Sequence, residues 1–205
     1  EIIKKGEIGK PLNMETSFGS NLLTKKKFFF FKKKKKINPD DRLFNLELGG
    51  GCILDLGCYV TSFSLLIASL VEGVNHKNFD LVNVKKKIGP TGVDIDAEGE
   101  ILFEGGFKSK IKASFENDIG NSSIINGDNG KVIIRNTWQG KDEIIKIIKG
   151  EKTIIKNNMT KNIYSYQIES ISERILEDKN ETTFSGFRID DTLLNTKILE
   201  DWLNA

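Results

Sequence analysis

A chain of 205 residues, 38% hydrophobic and 29% charged, has the make-up of a soluble globular protein with one good-sized core or at most two small ones. Its 31 basic and 29 acidic residues leave a formal net charge of +2, so no general electrostatic pull toward nucleic acid or an anionic membrane is expected. The single histidine, His76, and the two cysteines, Cys52 and Cys58, lack the spacing of a metal centre; no metal is expected, and both thiols read as reduced core residues of a cytoplasmic protein.

The chain opens on Glu1, and residues 1–10 read as the tail end of a linking helix, with no signal peptide. Asn13–Ser17 reads as a short strand. Residues 20–40 form a Lys/Phe-rich loop around Thr24–Ile37, TKKKFFFFKKKKKI. A basic-aromatic run of this kind can meet nucleic acid or a membrane surface. The near-neutral balance of the whole chain favours a solvated loop instead. Gly49–Gly51 then opens Cys52–Val71, an apolar stretch whose single charge is Asp55. Its length suits a membrane span, but an Asp in hydrocarbon is costly, and Gly57, Tyr59 and Thr61 interrupt it. A helix buried in a globular core reads the same way, so no membrane partner is expected.

From Phe79 onward the hydrophobic period changes to two. Phe107, Ser109, Ile111, Ala113 and Phe115 alternate with Lys108, Lys110, Lys112, Ser114 and Glu116, which predicts a strand with one buried and one wet face. Gly105-Gly106 joins it to a strand around Val93–Phe103. Asp128-Asn129-Gly130 separates Ser122–Ile125 from Val132–Arg135, and Lys149-Gly150-Glu151 separates Ile144–Ile148 from Thr153–Ile155. Turns this short force antiparallel neighbours, so a meander of about five or six strands is expected. Two helices close the chain. Tyr164, Ile168, Ile171 and Ile175 mark one apolar stripe; Leu194, Ile198, Leu199, Trp202 and Leu203 mark the other, behind Asp190-Asp191 as N-terminal cap and first-turn carboxylates. The predicted class is α+β, an open, mainly antiparallel sheet with helices packed on one face.

Few residues invite chemistry. The sequence has no Ser-His-Asp arrangement, no Walker loop and no G-x-G-x-x-G between strand and helix. Asp55 and Tyr59 remain, four apart at the start of the apolar stretch, a spacing that puts both on one helix face. Residue type and spacing alone leave two readings: a polar pair at a site, or a capping carboxylate and a core tyrosine. Arg42 has two as well, reaching a substrate or cofactor phosphate, or pairing with Asp40, Asp41 or Glu47.

Arg42-Leu43-Phe44, followed by Gly49-Gly50-Gly51, Asp55, Gly57 and Tyr59, resembles the R-L-F…G-G-G-x-x-x-D-x-G-x-Y pattern of the Gfo/Idh/MocA oxidoreductases. Further landmarks follow in the same order: Glu1–Gly9, then Thr91-Gly92-Val93-Asp94 with Leu102-Phe103 and Gly105-Gly106, then Ile125-Asn126-Gly127 through Gly130-Lys131-Val132. In that family an N-terminal Rossmann half binds NAD or NADP and supplies a lysine from a Glu-Lys-Pro motif, which this sequence lacks. The resemblance therefore implies that residues 1–205 are a C-terminal substrate-binding and oligomerisation domain, inactive alone, with NAD or NADP held mainly by a missing N-terminal domain. It implies a carbohydrate-like substrate (sugar, polyol or dihydrodiol, in the manner of the dihydrodiol and xylose dehydrogenases) and a homo-oligomer formed through the sheet. Tyr59 and Asp55 take catalytic and substrate-binding positions in it, and Arg42 a substrate-binding one. The alternative is a non-catalytic binding or oligomerisation module of the same fold.

Overall fold

Alternation with period two builds most of the molecule. The computed structural model describes residues 1–27, 31–140, 143–156, 159–179 and 188–205. Its strands are β1 Pro11–Gly19, β2 Thr24–Lys27, β3 Phe31–Lys34, β4 Asn75–Ile88, β5 Asp94–Glu104, β6 Lys108–Ser114, β7 Ser123–Gly127, β8 Gly130–Ile134, β9 Ile144–Ile148 and β10 Glu151–Ile155. Eight of them form one open sheet in the order β10-β9-β8-β7-β1-β6-β5-β4. Phe107, Ser109, Ile111, Ala113 and Phe115 are all buried, as their alternation requires. Ser114 departs from the wet set: it is buried, and its hydroxyl donates to Asp96 Oδ1 at 2.5 Å while accepting the Asn117 N–H at 3.0 Å.

The single meander expected from the turns is in fact two, joined by β1. That strand runs parallel to β6 and antiparallel to β7. The link Phe115–Ser122 between β6 and β7 is too long for a hairpin turn and leaves a slot between them. β1 fills it because Met14 and Thr16 supply the buried residues of a central strand. Gly9 fixes the entry: at φ +72°, a Cβ there would lie 1.7 Å from Asp128 Oδ1, the atom that accepts the Lys10 N–H at 2.9 Å. In the Lys/Phe-rich segment, expected as a loop, β2 and β3 pair antiparallel as a separate two-stranded ribbon. Phe28–Phe30 lie outside the described residues.

The apolar stretch after Gly51 is helical, but its first turn, Ile53–Gly57, is a π-helix; α1, Cys58–Ala68, continues from it. α1 and α3, Ile189–Asn204, cover one face of the sheet, with Ile198, Leu199 and Trp202 buried as their stripe predicts. Asp190 and Asp191 are first-turn carboxylates of α3, as expected; the N-cap itself is Arg188, whose N–H the Asp191 carboxylate accepts at 3.0 Å in a capping box. α2, Ile163–Leu176, behaves otherwise: none of its residues is buried, and Tyr164, Ile168, Ile171 and Ile175 are between 56% and 72% exposed. Its apolar stripe faces outward. Among the described residues no helix is long and apolar enough to cross a membrane, and no group of three His, Cys, Asp or Glu could hold a metal ion.

Candidate functional site

The glycine run draws the loop before it onto the helix start. The N–H groups of Gly49, Gly50 and Gly51 donate to the carbonyls of Leu46, Asn45 and Leu43 at 3.1, 2.8 and 2.9 Å. At Gly50 a Cβ would stand 2.8–2.9 Å from the carbonyl oxygens of Arg42, Leu43 and Asn45, so only glycine lets the two segments close. Closure places Arg42 beside Asp55, whose Oδ1 accepts from Arg42 Nη1 at 2.9 Å. Asp40, Asp41 and Glu47, the partners considered from sequence, are not used by this guanidinium. With side chains 73% and 25% exposed, the pair is worth on the order of 1 kcal/mol or less in stability. It orients rather than stabilises.

Asp55 and Tyr59 do not sit on one unbroken α-turn, as their spacing suggested, because the π-turn intervenes. Its polar groups are met from outside. The single Thr61 hydroxyl proton is shared between the Gly57 carbonyl at 2.9 Å and Asn195 Oδ1 at 2.6 Å; Asn195 Nδ2 donates to the Cys58 carbonyl at 3.4 Å. At the other end, the Ile53 N–H donates to the buried Asp94 carboxylate at 2.7 Å. π-turns of this sort are rare and are frequently found at functional sites.

Tyr59 is 47% exposed, and its hydroxyl has no hydrogen-bond partner among the described residues. The ring is held on its other sides. Phe18 meets it edge-on at 5.2 Å and Trp138 at 5.9 Å, while Phe18 and Trp138 stack at 5.5 Å with planes 17° apart. Phe63 adds an edge contact to Trp138 at 6.1 Å, and Trp138 Nε1 donates to the Ser17 carbonyl at 2.9 Å. Partial burial first, then the neighbouring Cys58, Tyr164 and Asp55, push the Tyr59 hydroxyl above its ordinary range, with Arg42 opposing. It is therefore protonated at neutral pH and available as a hydrogen-bond donor. Burial also raises both thiols, aided by Asp94 at Cys52 and by Asp55 at Cys58, so neither is a ready nucleophile.

Trp138 and Phe18 escaped the sequence reading: Trp138 stands on the β8–β9 connection outside any periodic pattern, and Phe18 lies just past the expected end of its strand. Asp94 was visible only as part of a hairpin landmark. A concavity of about 580 Å³ lies elsewhere, on the sheet face opposite the helices, lined by Glu15, Lys85, Glu98, Glu100, Lys110 and Lys112 among others. Asp55 and Tyr59, on the helical segment after Gly51, and Arg42, in the loop before it, are not among its lining.

The family model described as the GFO/IDH/MocA C-terminal domain matches residues 1–133. No curated protein matches the chain in sequence. Among solved structures, the chain is similar to the aldose-aldose oxidoreductase from Caulobacter crescentus complexed with glycerol, at 21% identity and a TM-score of 0.74, over 100% of this chain and 56% of that one. It is also similar to a 3-ketoreductase from Actinomadura kijaniata complexed with NADP and TDP-benzene, at 14% identity and a TM-score of 0.71, over 97% and 55%. The chain thus spans little more than half the length of these structures, and at such identities the likeness is one of fold.

Proposed function

This chain belongs to the GFO/IDH/MocA family, and from that premise we propose that it is the substrate-side domain of an NAD(P)-dependent oxidoreductase acting on a sugar, polyol or dihydrodiol. The observation that carries the reading is Tyr59, 47% exposed and with no partner for its hydroxyl among the described residues, within electrostatic reach of the Arg42–Asp55 pair. Interconverting an alcohol and a carbonyl moves a proton on or off the reacting oxygen, which needs a group within about 3 Å of it. Protonated Tyr59 donates to that oxygen when a carbonyl is reduced. In the reverse direction it takes up the proton only once a cation brings its raised pKa down. Arg42 acts in that sense already. Asp55 and Arg42, acceptor and donor at one edge, are suited to hold neighbouring hydroxyls. The stacked Phe18 and Trp138 keep the Tyr59 ring from swinging away.

The dinucleotide itself does not fit these residues. A pyrophosphate seat needs free N–H groups at a glycine turn before a helix, and at the Gly49–Gly51 turn Asp94 already accepts from Ile53 N–H. The cofactor, NAD or NADP, is accordingly assigned to residues outside this chain. On the sheet face opposite α1 and α3, Ile124, Ile133, the already buried Ile145 and the exposed Ile154 stand in one cross-strand row that continues through Glu15, Lys110 and Glu100. A row that is apolar at one end and alternates in charge at the other suits a second copy meeting face to face.

The two faces can be told apart by titrating the isotope-labelled chain with an aldose or glycerol. Shifts that begin at Tyr59, Asp55 and Arg42 support the reading. Shifts confined to Glu98, Lys110 and Lys112 in the opposite groove would contradict it.

A further inference from the structure

Asp94 begins β5 with only 4% of its surface exposed, yet its carboxylate is spent on the helix start rather than on its own sheet. Oδ2 accepts the Ile53 N–H at 2.7 Å. The other oxygen, Oδ1, lies 2.3 Å from where a Cβ on Gly51 would stand, so the third glycine of the run is the gap through which this carboxylate reaches the helix. Gly51 also has φ +120°, a conformation that side chains resist. Ile53 is the first residue of the π-turn, and the Asp55 N–H still makes an α-type bond to the Gly51 carbonyl at 3.2 Å. A π-turn holds one residue more than an α-turn, so relaxing it would rotate the residues before α1 by about 100° around the axis. The far end is fixed by Thr61 and Asn195. The near end is fixed by Asp94, whose negative charge also suits a helix N-terminus.

We propose that Asp94 is a positioning residue for the Asp55–Tyr59 pair: by holding the Ile53 N–H across Gly51, it keeps the first turn in π form and so sets Asp55 against Arg42 and near Tyr59. The proposal deepens the functional reading above and rests on it for its purpose, though its geometry stands alone. It links the G-G-G and G-V-D segments, about 40 residues apart in sequence, into one device.

The test uses the whole chain, labelled with 15N on backbone amides and 13C on tyrosine rings, Tyr59 being assigned among the three tyrosines by Tyr59→Phe. In Asp94→Ala the Ile53 amide proton loses its downfield shift, the Asp55 amide moves with it, and the Tyr59 ring titrates closer to ordinary tyrosine. A residue that merely stabilises the fold lowers the melting temperature and leaves the Asp55 and Tyr59 signals of the folded fraction in place. If Asp94→Ala does not fold, Asp94→Asn, of the same outline, is expected to move all three signals in the same direction by less. In either folded variant, an Ile53 amide that moves while Asp55 and Tyr59 stay at wild-type positions overturns the proposal. Full turnover in a Tyr59→Phe enzyme would remove the functional reading and leave the three-way coupling intact, so the two failures are distinguishable.

Discussion

Trp138→Ala removes the wall behind Tyr59 and gives the sharpest measure of how much that wall holds. The side chain contacts three rings, those of Phe18, Tyr59 and Phe63, and makes one hydrogen bond to the Ser17 carbonyl. At about 0.5–1.5 kcal/mol for an aromatic pair and a similar amount for a neutral hydrogen bond, the sum is roughly 2–6 kcal/mol. Trp138 is only partly buried, which trims the expected loss to about 2–3 kcal/mol. For a domain of this size that lowers the melting temperature by roughly 4–12 °C. Trp138→Phe keeps the ring contacts and deletes only the N–H, costing about 1 kcal/mol. Circular dichroism melts of the three proteins read the ladder directly. A Trp138→Ala chain melting within about 1 °C of wild type would mean that the rings touch without supporting one another, and the argument for a braced Tyr59 would fail.

Other outcomes follow from the same geometry. Gly9→Ala forces Asp128 off the Lys10 N–H and strains a left-handed backbone; a loss of about 2–4 kcal/mol in chemical denaturation is expected, and a loss below about 0.5 would refute the close packing at this corner. The chain alone is expected not to bind NADH or NADPH in isothermal titration, and micromolar binding would mean that a phosphate seat exists on it. Glu98 is held below its usual range by the hydrogen bond from Lys85 and by the charge of Lys112. Its folded value being depressed, it contributes stability above the ordinary glutamate range that is lost as pH falls through that lower value. Glu98→Gln should flatten the acid limb of a stability–pH curve, and an unchanged limb would discount the ion chain.

How far the fold was legible can be argued from particular residues. The alternation Phe107 to Phe115 names the buried face because strand geometry leaves a side chain no choice but to alternate. The stripe of Ile198 and Trp202 names the packed side of α3 for the analogous helical reason. The place of β1 was not legible, since a central strand between β7 and β6 is decided by non-local pairing that no short turn announces. The π-turn was hidden too: nothing in Ile53–Gly57 reveals it without Asp94, which lies far off in sequence and reaches it only in the fold. α2 shows the opposite failure. Its stripe is as regular as that of α3, but periodicity says that an apolar face exists and not what lies against it. At the site, Asp55 and Tyr59 were named by spacing and resemblance, while the bond from Arg42 to Asp55 depended on a loop closed by three glycines.

The central claim is that Tyr59 acts through its hydroxyl on the reacting oxygen, and Tyr59→Phe in the complete enzyme tests it most directly. The substitution keeps the edge contacts to Phe18 and Trp138 and removes one oxygen that bonds to nothing else among the described residues. Stability should therefore change by less than about 1 kcal/mol. Turnover should fall about 10²–10⁴-fold, as when a positioned proton-transfer group is lost, with substrate affinity falling less because the bond tightens as charge develops on oxygen. Turnover per folded molecule equal to wild type would contradict the account and return Tyr59 to the aromatic cluster as packing alone.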